Sequence, residues 1–550
     1  MMSNPLACLF VQASRSPARG EPGAAPAKGA KVGKPRVQFR TLRRIAGWLA
    51  VFPLAGMTAC SWLGDSAASD PYRYAPSTSA QPWQPGASFL GSREADPPGY
   101  TSNSSRVTLQ HLSGTEDTDL EKTNDLADLI ALAQRANPQT RQAWEQARAA
   151  AARLGIADSA FAPIFALLAT GGYERNNFPT PDGQLIAEGA HFDPGLSLEW
   201  TLLDFGRRRA TFDSAAQQLL QANFRFNRTH QQLAYDTERA FYAFDSARAR
   251  IDAAETNVLT AQSVEKLTEV QMENGLATQT ERLQALQELA RAQYDLQSAQ
   301  RSVSDAWAFL AETVGQSPTI SFNVVDLSSL PVPTNLVETV EAAIDRALQQ
   351  RPDLAAQLAQ VRAREAEVRR ARSEFRPSIG LRGSVGGTMG RWDVSQPGHN
   401  SASYDYVDPD YGAFLTFSWN LFDGFERKNK LREAQAQRNE AEAALRTLEL
   451  SALREVWKAY ADTKVAFLQY NFAHALFMAS SDSYDATLKA YQNGLGTIID
   501  LLTAERDLAR ARTTVVDSRA EVLTSSAALA FAVGDWTRGT ATNSPHYKER

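Results

Sequence analysis

Two stretches 219 residues apart, Trp200-Thr-Leu-Leu-Asp204-Phe-Gly206 and Trp419-Asn-Leu-Phe-Asp423-Gly424, close a strand-like alternation with an Asp and a Gly. Each is followed within a few residues by an unusually long helical pattern, over 207–274 in one case and 426–493 in the other. A boundary of this kind met twice means a fold built twice. Other pairs recur at this spacing or five residues short of it. Asn137-Pro138 matches Arg351-Pro352 and Phe161-Ala-Pro163 matches Phe375-Arg-Pro377 at an offset of 214; Gly275 matches Gly494 and Leu289-Ala-Arg291 matches Leu508-Ala-Arg510 at 219. The change of five residues falls between the two strand candidates of the second half, where a loop lengthens without disturbing packing.

Each half therefore reads as helix, helix, strand, strand, very long helix, helix. In the first these lie at 122–136, 138–160, 163–173, 195–203, 207–274 and 279–313; in the second at 336–350, 352–375, 377–388, 412–421, 426–493 and 498–533. Pro163 and Pro377 stop the helices before them, because the ring removes a backbone donor and disfavours helix at the preceding residue. Leu196, Leu198, Trp200 and Leu202 alternate with Ser197, Glu199 and Thr201, and Leu415, Phe417, Trp419 and Leu421 with Thr416, Ser418 and Asn420. Such period-two strands of about ten residues match a tilted bilayer crossing, and they also match a soluble sheet with one buried face. No apolar run of about 18 residues follows Leu120, so any insertion into lipid has to use strands. Four strands cannot close a barrel, and open edges are not viable in lipid; two, three or four copies would satisfy closure, three giving twelve strands.

A helix over 207–274 is about 100 Å long, more than a globular core needs, and suggests a projecting tube or stalk. Phe244, Ala247, Ile251, Ala254, Val258 and Ala261 form a heptad seam, continued in the second copy by Ala466, Tyr470, Ala473 and Phe477. Both long helices stop at a Gly, Gly275 and Gly494, suited to the left-handed helix terminus. Thr278-Gln-Thr-Glu281 and Thr497-Ile-Ile-Asp500 then open the return helices as a capping box and its Asp variant.

The first 59 residues carry nine Lys/Arg and one acid, Glu21; taking them from the chain's 57 basic and 62 acidic residues leaves a net charge of −13. So acidic a mature chain gives no electrostatic reason to bind nucleic acid. Arg40, Arg43 and Arg44 precede an apolar run from Ile45 to Ala55, the length of a signal h-region and too short to span a bilayer. It leads to Met57-Thr-Ala-Cys60, which resembles a bacterial lipobox with Cys60 as the acylated first mature residue; ordinary cleavage nearby is the alternative. Ser61 after the cysteine favours outer-membrane over inner-membrane retention by the same resemblance. The long segment before the h-region fits an extended n-region or a start site set too early. Residues 61–118, rich in Pro, Ser, Gly and Asp, read as a tether or a strap laid over the folded body.

Catalytic and metal sites are not indicated. The six histidines are scattered without metal-ligand spacing, and no Walker loop or Gly-x-Ser-x-Gly elbow is present.

The strand pairs, the Trp-x-Leu-Phe-Asp-Gly boundary, the giant helices, the Gly turns and the return helices, duplicated in an exported chain, resemble the TolC-like outer membrane factor family over about 120–535. The resemblance implies an α+β membrane protein: a homotrimer whose twelve-stranded transmembrane β-barrel, four strands per chain, continues into a long α-helical coiled-coil periplasmic barrel, with an internal structural repeat. It implies a bacterial outer-membrane location and a passive exit duct for tripartite efflux or type I secretion, working with a periplasmic adaptor and an inner-membrane pump. No cofactor is implied beyond a covalent lipid on Cys60. The domain plan is then a signal and extension at 1–59, a lipid-anchored tether at 60–118, repeats at 119–334 and 335–535, and a tail at 536–550. The competing class is a structural coiled-coil outer-membrane lipoprotein, a periplasmic spacer or scaffold.

In that family the tunnel closes near the second return helix, and Tyr491 through Thr503 resembles the gate. Tyr491 matches a gate tyrosine and Asp500 an acidic ring position on the three-fold axis, while Gly496 and Thr503 stand where some members have an Arg and a second Asp. A latch through position 496 is therefore unsupported. Glu281, at the matching place in the first repeat, is the third candidate for the pore constriction; read from their own chemistry, Asp500 and Glu281 serve equally as helix caps and Tyr491 as a packed aromatic. Trp200 and Trp419 are expected as membrane-interface aromatics, and Arg207–Arg209 with Arg427-Lys428 as headgroup partners or a solvated helix start. Asp204 and Asp423 read as helix caps.

Overall fold

The computed structural model describes residues 70–83, 123–181, 183–320, 323–326, 339–396, 398 and 400–535, all within the unit Asp65–Arg550. The signal region with Cys60, most of the tether over 60–118 and the tail at 536–550 lie outside the described residues.

The elements run in the order β1 (Thr123–Asn124), α1 (Leu126–Ala136), α2 (Pro138–Ser159), β2 (Ile164–Thr180), β3 (Gly183–Leu203), α3 (Arg207–Glu273) and α4 (Gln279–Val314). The second half continues with β4 (Asn323–Val324), α5 (Val340–Gln350), α6 (Pro352–Ser373), β5 (Ser378–Ser395), β6 (Ala402–Ser418), α7 (Glu426–Gln492) and α8 (Ile498–Val533). Helix lengths repeat between the halves at 11, 22, 67 and 36 residues. Among the described residues no helix is long and apolar enough to cross a membrane.

Local chemistry sets the helix ends. Asp125 and Asp128 form a reciprocal capping box on α1, and Pro138 and Pro352 occupy the first turns of α2 and α6, where a missing N–H costs nothing. The corner between the two short helices receives the end of the return helix in both halves. Asn137 donates to the Thr313 carbonyl at 2.8 Å, and its counterpart Arg351 donates to the Ala532 carbonyl at 3.3 Å. Arg351 also bonds Asp353 at 2.7 Å and Glu455 at 2.8 Å, so one half uses a neutral amide where the other uses a buried guanidinium with two carboxylates.

The strands are longer than their alternation suggests, 17, 21, 18 and 17 residues against the roughly ten expected. Strand β6 stops at Ser418, so Trp419, Asn420 and Leu421 lie beyond it rather than inside a strand over 412–421. The four strands form one antiparallel sheet in the order β2-β3-β5-β6, with Thr180 paired to Gly183 where β2 gives way to β3.

Register accounts for the extra length. Directly paired residues share a face, and one face carries the rows Leu167–Leu196–Val385–Tyr411 and Phe165–Leu198–Gly383–Ala413, with Phe192–Met389–Val407 above them. The next rows out are Tyr173–Ala190–Arg391–Asp405 and Arg175–Glu188–Asp393–Ser403, tied by an Arg175–Glu188 ion pair at 3.4 Å. From Ile379 to Met389 the apolar band is eleven residues deep, about 25 Å when tilted, as a bilayer core requires. Beyond it the strands go on as polar ribbon. Alongside that band the opposite face carries Ser197, Glu199, Arg382, Ser384, Asp408, Asp410 and Thr416, with Ile164, Ala166, Leu168 and Phe414 as apolar members, and Trp392, Tyr404 and Tyr406 share this face further out.

The described part of the tether is a strap. Trp144 Nε1 donates to the Pro76 carbonyl at 2.8 Å and Asn223 to the Tyr74 carbonyl at 2.9 Å. Asn227 takes both polar groups of the Trp83 backbone, at 2.7 and 2.8 Å, so residues 70–83 follow α2 and the first half of α3.

Replacing Arg351 by Met should destabilise the assembled protein by roughly 3 kcal/mol, because Asp353 loses its buried partner. Denaturant unfolding followed by helix circular dichroism reads this, and a loss below about 0.5 kcal/mol would count against the charged corner as a structural element.

Candidate functional site

Two places carry the geometry a duct would need, the base of the sheet and the far tip of the helical hairpins. At the base, β3 leads into α3 through Asp204, Phe205 and Gly206, and β6 leads toward α7 through Asp423, Gly424 and Phe425. Both boundaries put two successive residues at positive φ: Phe205 at 51° and Gly206 at 100°, then Gly424 at 64° and Phe425 at 72°. The Gly and the Phe have exchanged places, so each turn holds one residue for which the left-handed conformation costs about 1 kcal/mol. That cost is offset by a repeated set of bonds.

Asp204 accepts from the Arg208 backbone and from Arg208 Nε, both at 2.9 Å. The same guanidinium reaches the carbonyls of Ala160 at 3.3 Å and Leu202 at 3.1 Å and lies over the Phe161 ring. In the second half Asp423 takes the Arg427 backbone at 3.2 Å and Arg427 Nε, while Arg427 reaches the Glu374 carbonyl at 3.4 Å and covers the Phe375 ring. Trp200 and Trp419 complete the pattern, their indole N–H groups donating to the carbonyls of Phe161 at 3.0 Å and Phe375 at 3.2 Å. Each tryptophan thus ties a strand base to the end of the short helix before it, with its ring partly exposed.

Burial pushes the Asp204 carboxyl up, but the hydrogen bonds and charge of Arg208 outweigh it and hold the group below its ordinary 3.8. Arg208 and Arg427 are consequently committed inward and are not free for lipid headgroups; Arg209 bonds Asp213 at 3.1 Å. The signal for this collar was present as an Asp and an Arg four apart, repeated at an offset of 219.

At the tip, Gly275 and Gly494 adopt φ of 75° and 69°, and the N–H groups of Leu276 and Leu495 return to the carbonyls of Gln271 and Ala490 at 2.8 Å. Thr278 and Thr497 cap α4 and α8. The Thr278 N–H donates to Glu281 at 2.8 Å and the Glu281 N–H to Thr278 Oγ1 at 3.3 Å. Thr497 and Asp500 repeat this, both backbone bonds at 3.2 Å, and Thr497 Oγ1 adds a bond to Asp500 Oδ2 at 2.7 Å. The Thr497 hydroxyl and backbone hold the exposed Asp500 carboxyl below its usual range.

Tyr491 is placed differently from its neighbours. Its side chain is buried with Tyr484, Val264, Ala285, Ile498, Leu501 and Leu508, where the hairpins α3/α4 and α7/α8 pack together. Burial raises its hydroxyl pKa, with the Glu281 charge adding to the effect and Thr268 of α3 opposing it. Within one chain, then, Tyr491 joins the two hairpins, whereas Asp500 is exposed at the start of α8 and Glu281 is half-buried at the start of α4. Gly496 packs on Ala490 and Tyr491, where a Cβ would meet Ala490 at 3.3 Å; Thr503 turns its hydroxyl to the Ile499 carbonyl at 2.7 Å.

A sheet with an eleven-residue apolar band, fastened by a charged collar to helices of about 100 Å, is the protomer architecture of an outer-membrane channel. The sequence profile of the outer membrane efflux protein family matches residues 129–316 and 343–535, and the chain belongs to that family. Protein CyaE of Bordetella pertussis is 27% identical over 430 residues, covering 77% of this chain and 87% of that protein. Outer membrane protein OprJ of Pseudomonas aeruginosa is 24% identical over 383 residues, covering 70% and 78%. The solved outer-membrane channel OprN superposes with a TM-score of 0.66 at 22% identity, over 74% of this chain and 89% of that one.

Trp419→Phe removes the indole N–H and little else. It should lower the yield of assembled oligomer several-fold while the single-channel conductance of the survivors stays unchanged; conductance that shifts with yield intact would place Trp419 in the pore path.

Proposed function

We propose that this protein is a passive outer-membrane exit duct, assembled as a homotrimer, through which a periplasmic adaptor and an inner-membrane pump expel cargo by tripartite efflux or type I secretion. The observation that carries the reading is the sheet. It has an apolar band of bilayer depth on one face, polar groups on the other, and two strands, β2 and β6, with no partner on their outer edges among the described residues. Lipid offers nothing to satisfy such edges, so copies must pool their strands. Two copies would give eight strands, a barrel whose interior side chains fill it; three is the smallest number that leaves a lumen.

The helices support the same assembly. Leu450, Trp457, Val465, Leu468, Phe472 and Leu476 are exposed along α7 at the gaps of a helix-packing stripe, which suits burial against another copy. At the tip Leu276 and Leu495 are 78% and 84% exposed, apolar knobs available to an adaptor. Energy comes from the pump, since the duct reading asks for no catalysis. Cys60, with its lipobox-like approach, supplies a lipid anchor upstream of the strap. A spacer built only of coiled coil has no use for a lipid-facing sheet, which favours the duct.

In planar bilayers the purified protein should form heat-resistant oligomers that conduct in discrete steps, and Asp500→Ala should raise the conductance of the resting state. Oligomers that never conduct, with or without that substitution, would sink the duct. Labelled palmitate should enter the wild-type chain and not Cys60→Ser; equal incorporation would remove the anchor.

A further inference from the structure

Five residues above Asp500, the α8 residue Glu505 is buried at 7% exposure, and its Oε2 has no hydrogen-bond partner among the described residues. It lies in the joint between the hairpins. From α4 it faces Glu288, also 7% exposed, whose carboxylate is taken by Arg506 at 2.5 Å. From α7 it faces Tyr484, with Asp485 beside that ring. Arg512, one and a half turns further along α8 than Arg506, points to α3, where the uncharged Asn257 and Thr260 accept from it at 2.8 and 3.4 Å. Both arginines are thus engaged with the first hairpin, and Glu505 is left as the acid without a bonded cation. The fold does not demand an acid there: at the offset of 219 the equivalent α4 residue is Leu286.

We propose that Glu505 is a proton-linked latch between the two hairpins: its protonated carboxyl lets α7/α8 close on α3/α4 near the tip, and its ionisation loosens that joint. A carboxylate formed here would sit beside Glu288 without a bonded cation of its own, which low-dielectric surroundings penalise. Burial, helped by the Glu288 charge and opposed by Arg506 and Arg512, pushes the Glu505 carboxyl up from 4.5 to about 7. The same burial, with the Glu505 charge, pushes the Tyr484 hydroxyl up to about 12.

The direction of the effect follows from proton linkage. Below about 4.5 the group is protonated whether the joint is closed or open, and the closed state has its full stability. Between there and about 7 only the closed state holds the proton, so closure weakens by up to tenfold per pH unit; above about 7 both states are ionised and the loss levels off. The inference deepens the duct reading by giving it a regulation, and its test reads the joint itself, so it stands or falls without conduction.

Amide hydrogen exchange of the full-length assembled protein, normalised for the intrinsic rate at each pH, should show residues 484–508 opening more often at pH 7.5 than at pH 5.5, at most roughly twentyfold. Glu505→Gln, which keeps the shape of the protonated acid, should exchange alike at both. A wild-type response below about twofold, or the same response in Glu505→Gln, overturns the latch. Should Glu505→Gln fail to assemble, Glu288→Gln carries the test. Removing the facing carboxylate should shrink the response and make it level off at lower pH, and an unchanged response overturns the proposal.

Discussion

The constraint on which this molecule depends is that a backbone N–H or C=O cannot be left unpaired in hydrocarbon. A four-stranded sheet with an apolar outer band and two open edges is incomplete as a single chain. In the proposed assembly, closure by other copies would supply the missing bonds, and at twelve strands it would also leave a lumen. The helices inherit the same incompleteness, since the exposed stripe on α7 needs a neighbour that the sheet's closure would bring.

A barrel wall and a helical wall meet the chain's axis differently, and the collar reconciles them. Two left-handed residues turn the backbone, an Asp pins the following Arg, the Arg reaches back to the preceding short helix, and a Trp ties the strand to the same place. All of these parts occur in both repeats, with only the order of Gly and Phe exchanged. At two places where the repeats differ, the second half is the charged one: Arg351 for Asn137 at the helix corner, and Glu505 where α4 has Leu286. Those differences mark what the fold alone does not need.

Much of this was legible in the residues. Gly275, Gly494 and the two capping threonines bounded the long helices, expected at 207–274 and 426–493 and found at Arg207–Glu273 and Glu426–Gln492. The strands outrun their alternation because period-two hydrophobicity reports only the part facing lipid. Above Met389 the outward face turns to Arg391 and Asp393 while the ladder of hydrogen bonds continues. Trp419 looked like a strand residue by alternation and proved to lie just past the strand, held by its indole N–H. The collar arginines read from sequence as headgroup partners or a solvated helix start, and the i,i+4 pairing of Arg208 with Asp204 and of Arg427 with Asp423 turns these two inward. Glu505 carries no such signal, because a single acid on a helix reads as solvated surface until packing between distant segments buries it.

The account rests on how many copies share one barrel. Native mass spectrometry of the full-length protein released from the outer membrane in mild detergent measures that number directly. Three chains per particle is the predicted result; two or four chains, or a single chain inserted stably in the bilayer, would contradict it.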